Sequence, residues 1–199
     1  MNYFSSEFKL GILGGGQLGK MLLAETRKFD IQTYVLDPSK EAPSQFGANH
    51  FFIGDLMDFD TVYDFGKKVD LLTIEIENVN LDALDKLEAD GLKVFPSPKT
   101  LRLIQNKGNQ KDFYVSNNIP TSSHQRFENI QNLKSKIQLP CVWKAARFGY
   151  DGNGVKILKQ AHDLELIPDV EWIKTSDFSN ELSALLIKIK TAIAKCKPK

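Results

Sequence analysis

The feature that most restricts this chain is a glycine cluster lodged between two regular elements. Lys9–Leu13 reads as an apolar strand, Gly14-Gly15-Gly16-Gln17-Leu18-Gly19 as a turn, and Leu18, Met21, Leu22 and Phe29 carry helical spacing. Glycine lets the backbone turn tightly and approach a phosphate closely. The helix that follows offers its free N–H groups and positive dipole end to an anion. Gly15, Gly16, Gln17 and Leu18 are therefore candidate anion-binding residues, although the same glycines also suit plain strand–helix packing. Asp37 closes the next strand, where a dinucleotide-binding domain keeps an acid for a ribose hydroxyl. Taken alone, this pattern indicates an NAD(P)-dependent oxidoreductase.

The rhythm continues beyond the loop. Strands are expected at Gln32–Leu36, Phe51–Ile53, Leu71–Ile76 and Lys93–Phe95, and helices at Asp58–Lys68 and Leu81–Ala89. Alternation of this kind implies right-handed crossovers and a parallel sheet with helices on both faces. The expected fold class is α/β, with a Rossmann-like domain over residues 1–97 ending at Pro96-Ser97-Pro98. Residues 98–199 form a second, different region. Thr100–Asn118 reads as one or two polar helices, Leu139–Trp143 as a strand, and Val155–Leu158 as the strand beyond a second glycine loop. Strand, glycine loop and strand together predict a hairpin.

Two clusters carry candidate chemistry. In Thr73-Ile74-Glu75-Ile76-Glu77, the two acids sit at i and i+2, so on a strand they share one face. They would lie at the C-terminal end of a parallel strand, where open α/β sheets bind ligands. There they could accept hydrogen bonds from a substrate, or simply face solvent. The second cluster is Trp143-Lys144-Ala145-Ala146-Arg147-Phe148-Gly149-Tyr150-Asp151-Gly152-Asn153-Gly154-Val155. A strand lysine followed by three glycines among polar residues suits a loop folded over a polyphosphate. No Gly-Lys-Ser/Thr follows, so it is not a Walker A loop.

Four blocks, GILGGGQLGKML, TIEIENV, QNKGNQKDF and FGYDGNGV, stand in an order and spacing that resemble the 5-(carboxyamino)imidazole ribonucleotide synthases of the ATP-grasp superfamily. The likeness covers about residues 8–158. It implies a pre-ATP-grasp domain followed by a partial ATP-grasp α+β domain. It also implies an ATP-dependent carbon–nitrogen ligase of purine biosynthesis, which carboxylates 5-aminoimidazole ribonucleotide with bicarbonate. By resemblance, Lys107, Lys144, Gly149, Tyr150, Asp151, Gly152, Asn153, Gly154, Val155 and Glu181 fall on ATP-binding positions. Gly15, Gly16, Gln17, Leu18, Asp37, Glu75 and Glu77, with Tyr150 and Asp151, fall to the substrate side. The family's loop has glycine at the place of Phe148 and often glutamine at Val155, and its adenine-side Glu falls on Ile173, with Glu171 out of register. Catalytic residues are not assignable from the resemblance, and Mg²⁺ is the implied cofactor. Residues 185–199 do not resemble the family's continuation. A truncated synthase is therefore expected, nearly inactive, with its metal ligands beyond the chain's end; a non-catalytic ligand-binding remnant is a further alternative.

Composition limits the partners. The 26 Lys and Arg against 25 Asp and Glu leave a net charge of +1, unlike the large basic excess of a dedicated nucleic-acid binder. No apolar run approaches the roughly 18 residues of a membrane span. No signal-peptide pattern precedes the first strand, and Cys141 and Cys196 make no disulfide framework, so a cytoplasmic setting is expected. The five lysines after Leu182, with no acid among them, read as a solvated end or a basic interaction tail. His50, His124 and His162 lie too far apart in sequence for ligand spacing and read as surface or core residues. Small molecules are the expected partners, with a homodimer as the expected assembly.

Overall fold

A computed structural model describes residues 3, 5–127, 137, 139–148, 154–167 and 171–175. The chain divides into two compact units, Met1–Ile104 and Gln105–Lys199.

The first unit holds β1 (Lys9–Leu13), α1 (Gln17–Thr26), β2 (Gln32–Asp37), β3 (His50–Ile53), α2 (Phe59–Gly66), β4 (Leu71–Ile74), α3 (Leu81–Ala89), β5 (Lys93–Phe95) and α4 (Pro98–Ile104). The five strands pair in parallel in the order β3-β2-β1-β4-β5. Alternate strand residues sort to opposite faces, as the two-residue period of a strand requires. Leu13, Leu36, Leu72 and Val94 pack with Val62 and Phe65 of α2, Leu84 and Leu87 of α3, and Leu101 of α4. Leu10, Ile12 and Val35 pack on the other side with Leu23 of α1. Helices thus cover both faces, as the alternation predicts.

Local signals start the helices. Asp58 accepts the Thr61 N–H at the head of α2, and Asn80 accepts the Ala83 N–H at the head of α3. α4 belongs to the first unit: Leu101 is buried in its core, and Arg102 bonds Asp82 and Asp85 of α3. The unit therefore runs past residue 97. α1 departs from the expected pattern more instructively. The residues that mark it as helical, Leu18 and Met21 above all, are 65% exposed, and the helix buries Gly19, Leu23 and Thr26 instead. The spacing identifies a helix, but its apolar residues lie on the outer face.

The second unit holds α5 (Lys107–Ser116), β6 (His124–Phe127), β7 (Cys141–Ala145), β8 (Val155–Leu158) and β9 (Trp172–Thr175). Its four strands run antiparallel in the order β6-β9-β7-β8. β7 and β8 form the expected hairpin, with Lys144 opposite Val155. Cys141, Trp143 and Ala145 pack with Phe127, Leu158, Leu164 and Ile167. Burial raises the Cys141 thiol pKa, in keeping with an inert core side chain. β6 and β9 carry no alternating apolar signal strong enough to read from sequence. Among the described residues, no helix is long and apolar enough to cross a membrane.

Candidate functional site

The first glycine loop leaves β1 through Gly14, whose φ of +98° lies in the left-handed region. Gly16 is the N-cap of α1, and no side chain caps that helix. The amides at its head are thus left to the turn itself or to a ligand. The loop is braced from two sides. On one side, Asp37 at the end of β2 accepts the Gly15 N–H on Oδ2 at 2.7 Å and the Ser39 N–H on Oδ1 at 2.8 Å. Ser44, fully buried, donates its N–H to the Gly15 carbonyl at 2.9 Å. The carboxylate that the sequence pattern assigned to a ribose hydroxyl therefore holds the loop's own backbone.

On the other side stands Glu75. β4 ends at Ile74, so Glu75 and Glu77 lie just beyond the strand, in a bend. The shared-face argument for the pair therefore does not apply. The Glu75 N–H donates to the Leu13 carbonyl at 2.7 Å, which seats the residue beside the loop. Its carboxylate lies so close that a Cβ on Gly14 would meet Oε2 at 2.8 Å, and one on Gly16 would meet Oε1 at 2.6 Å. Gly14 and Gly16 thus make room for a carboxylate as well as for a turn. Gln17 and Leu18 are both exposed at the head of α1. Gly15, Gly16, Gln17, Leu18, Asp37 and Glu75 are gathered at the C-terminal edge of the parallel sheet, and Glu77 follows two residues after Glu75.

In the second unit, Lys144 is half-buried on β7 and Lys107 opens α5. Arg147 and Phe148 follow β7, and the carbonyl of Gly154, just before β8, accepts the Ala145 N–H at 2.8 Å. Phe148 has a φ of 58°, the left-handed conformation that glycine adopts without strain, at the position where the resemblance calls for glycine. Gly149, Tyr150, Asp151, Gly152, Asn153 and Glu181 lie outside the described residues. Ile173 is buried at the centre of β9, between Lys144 on β7 and Arg126 on β6.

A polar network surrounds these lysine-bearing segments. Asn106 is 2% exposed and caps α5, its Oδ1 accepting the N–H groups of Gly108 and Asn109. Its Nδ2 donates to Glu171 Oε2 at 3.1 Å, and Arg126 Nη2 donates to Glu171 Oε1 at 2.6 Å. Arg126 also bonds Asp112, which meets the His124 ring at 2.9 Å. Bonding to His124 and then to Arg126 holds the Asp112 carboxyl below its ordinary pKa range. Glu171, with Asp112 second, raises the pKa of the Arg126 guanidinium further. Sequence reading passed over Asn106 and Arg126, and noted Glu171 only as out of register. The available signal was the Asn106-Lys107-Gly108-Asn109 run, an N-cap residue opening a helix. Among the described residues, no three His, Cys, Asp or Glu side chains gather as a metal ion needs.

Residues 8–105 match the family described as the ribonucleotide synthetase preATP-grasp domain. The chain is 32% identical over 195 residues to the phosphoribosylaminoimidazole carboxylase of Ogataea methanolica, a match over 90% of this chain and 35% of that relative. It is 33% identical to the crystal structure of the Thermotoga maritima N5-carboxyaminoimidazole ribonucleotide synthetase, with a TM-score of 0.75, over 85% of this chain and 46% of that one. A third likeness, at 27% identity and a TM-score of 0.73, is to an Aspergillus clavatus N5-carboxyaminoimidazole synthase crystallised with ADP and 5-aminoimidazole ribonucleotide. It covers 87% of this chain and 47% of that one. The chain thus spans about a third of the length of the fungal relative and under half of the solved structures.

Proposed function

Since the chain belongs to the N5-carboxyaminoimidazole ribonucleotide synthase family, we propose that it carries the ribonucleotide site and part of the ATP site of such an enzyme. The reaction joins the carbon of bicarbonate to the amine of 5-aminoimidazole ribonucleotide. A bicarbonate oxygen attacks the γ-phosphorus of ATP, ADP leaves, and carboxyphosphate forms. The amine then attacks the carboxyl carbon, and phosphate departs.

The observation that carries this reading is the braced glycine loop with Glu75 beside it. The uncapped head of α1 suits the phosphate of a ribonucleotide, with Gln17 able to donate from its side-chain amide. A carboxylate against Gly14 and Gly16 repels a second anion there and accepts hydrogen bonds from hydroxyl or amine groups. One end of the site thus favours phosphate and the other favours sugar or amine. Asp37 keeps the loop in shape. In the second unit, Lys107 and Lys144 supply positive charge for the ATP phosphates. Gly149, Tyr150, Asp151, Gly152, Asn153, Gly154 and Val155 contribute to ATP binding, and Tyr150 and Asp151 also serve the ribonucleotide. Glu181 holds the ATP ribose, and Glu77 lines the substrate side. This reading places the reaction in the cytoplasm and makes Mg²⁺ the phosphate counter-ion. It expects a homodimer.

The test is calorimetric. 5-Aminoimidazole ribonucleotide and ATP should each bind the 199-residue chain, and Glu75→Gln should weaken the ribonucleotide alone, by about tenfold for one charge-assisted bond. Binding of NAD with no binding of ATP or ribonucleotide overturns the ligase reading in favour of the dehydrogenase one.

A further inference from the structure

Glu171 touches both segments that carry the candidate ATP lysines, through different parts of the same residue. Its carboxylate takes Asn106, immediately before Lys107, and Arg126 from β6. Its backbone carbonyl accepts the N–H of Ala146 at 2.9 Å. Ala146 lies two residues after Lys144, where β7 gives way to the glycine loop, and its own carbonyl accepts the N–H of Lys107 at 2.8 Å. The start of α5, the end of β7 and the start of β9 are therefore closed into one ring of hydrogen bonds. The ring is tightly built. Asn106 is almost wholly buried, and Arg126 lies so near Gly108 that a Cβ there would come within 2.7 Å of Nε. The Arg126–Glu171 pair itself is about a third exposed, so solvent screening leaves it little net stabilisation, but it fixes geometry.

Resting on the ATP reading above, we propose that Glu171, held by Arg126 and Asn106, is a positioning residue. It fixes the backbones of Lys107 and Lys144 relative to one another so that both ammonium groups meet the nucleotide phosphates. It touches no phosphate itself. Two cations on independent backbones must be ordered when the polyphosphate arrives, and a clamp removes that entropic cost beforehand. The clamp acts on phosphate recognition and leaves adenine and ribose recognition alone.

The experiment compares ATP with adenosine on the 199-residue chain by calorimetry. Glu171→Gln keeps the side chain's shape and removes the charge that holds Arg126. It should weaken ATP by about tenfold while adenosine changes by less than about twofold. Gly108→Ala is the second variant. It leaves every charged group in place and drives the Arg126 guanidinium off Glu171, so it should lower the ATP-to-adenosine ratio in the same direction. It decides the question if Glu171→Gln does not fold. Unchanged ATP affinity in a folded variant, or equal losses for ATP and adenosine, overturns the positioning role and leaves the ATP reading standing. A wild-type chain that binds no ATP overturns both.

Discussion

The carboxylate of Asp37 accepts the backbone N–H of Gly15 at 2.7 Å, across 22 residues of sequence. The acid at the end of the second strand therefore shapes the glycine turn at the end of the first. Asp37→Ala removes a charge-assisted bond to a part-buried amide and should destabilise the chain by about 2 kcal/mol; Asp37→Asn, which keeps one acceptor oxygen, should cost about half as much. Chemical denaturation measures both. Equal stabilities for wild type and Asp37→Ala would show that the loop holds its shape unaided.

Three glycines separate backbone strain from side-chain contact. Gly91 has a φ of +95° and open space around it, so Gly91→Ala should cost about 1 kcal/mol from conformation alone. Gly14 has a similar φ of +98° with Glu75 in the way, and Gly14→Ala should cost at least about 2 kcal/mol. Gly16 has a φ of −67°, so its only conflict is with the Glu75 carboxylate, which can swing aside. Gly16→Ala should leave stability within about 0.5 kcal/mol of wild type while weakening ribonucleotide binding. A Gly16→Ala variant with full affinity would remove Glu75 from the site.

Asp112 predicts an acid-side dependence of stability. Its folded pKa is depressed, so its contribution is complete above the unfolded-state value and is lost as pH falls through the folded one. The groups facing it are His124 and Arg126, both on β6. Its side chain is 53% exposed, so screening limits the effect to about 0.5 kcal/mol. Unfolding free energies measured from pH 6 down to about pH 3 should fall less steeply in Asp112→Asn than in wild type. Parallel curves would mean that the carboxylate titrates alike in both states.

Phe148 occupies a left-handed backbone conformation and is 65% exposed. Phe148→Gly relieves that strain at the cost of a freer unfolded chain, for a net gain of about 0.5 kcal/mol. The midpoint of thermal unfolding reads it. A lower midpoint in the glycine variant would mean that the ring contributes packing that outweighs the strain.

The α/β alternation, the parallel first sheet and the β7–β8 hairpin could be read from sequence because their signals are local. Periodicity, glycine clusters and prolines act over a few residues, and the backbone responds where they stand. The first glycine turn was legible for the same reason. What each side chain faces was not legible. Leu18 and Met21 mark a helix by spacing, yet only the packing of α1 shows that they lie outward while Leu23 is buried. Glu75 and Glu77 alternate as if on a strand, yet β4 ends before them, and Glu75 lies against the loop. β6 and β9 are short, and His124-Gln125-Arg126-Phe127 has too little apolar alternation to declare itself before its partner is known. The clamp on Glu171 joins residues 45 and 65 positions apart, Arg126 and Asn106. Hydrogen bonds between side chains so distant leave no mark on local composition. They exist only after the sheet has set its register, and so the tertiary structure alone decides them.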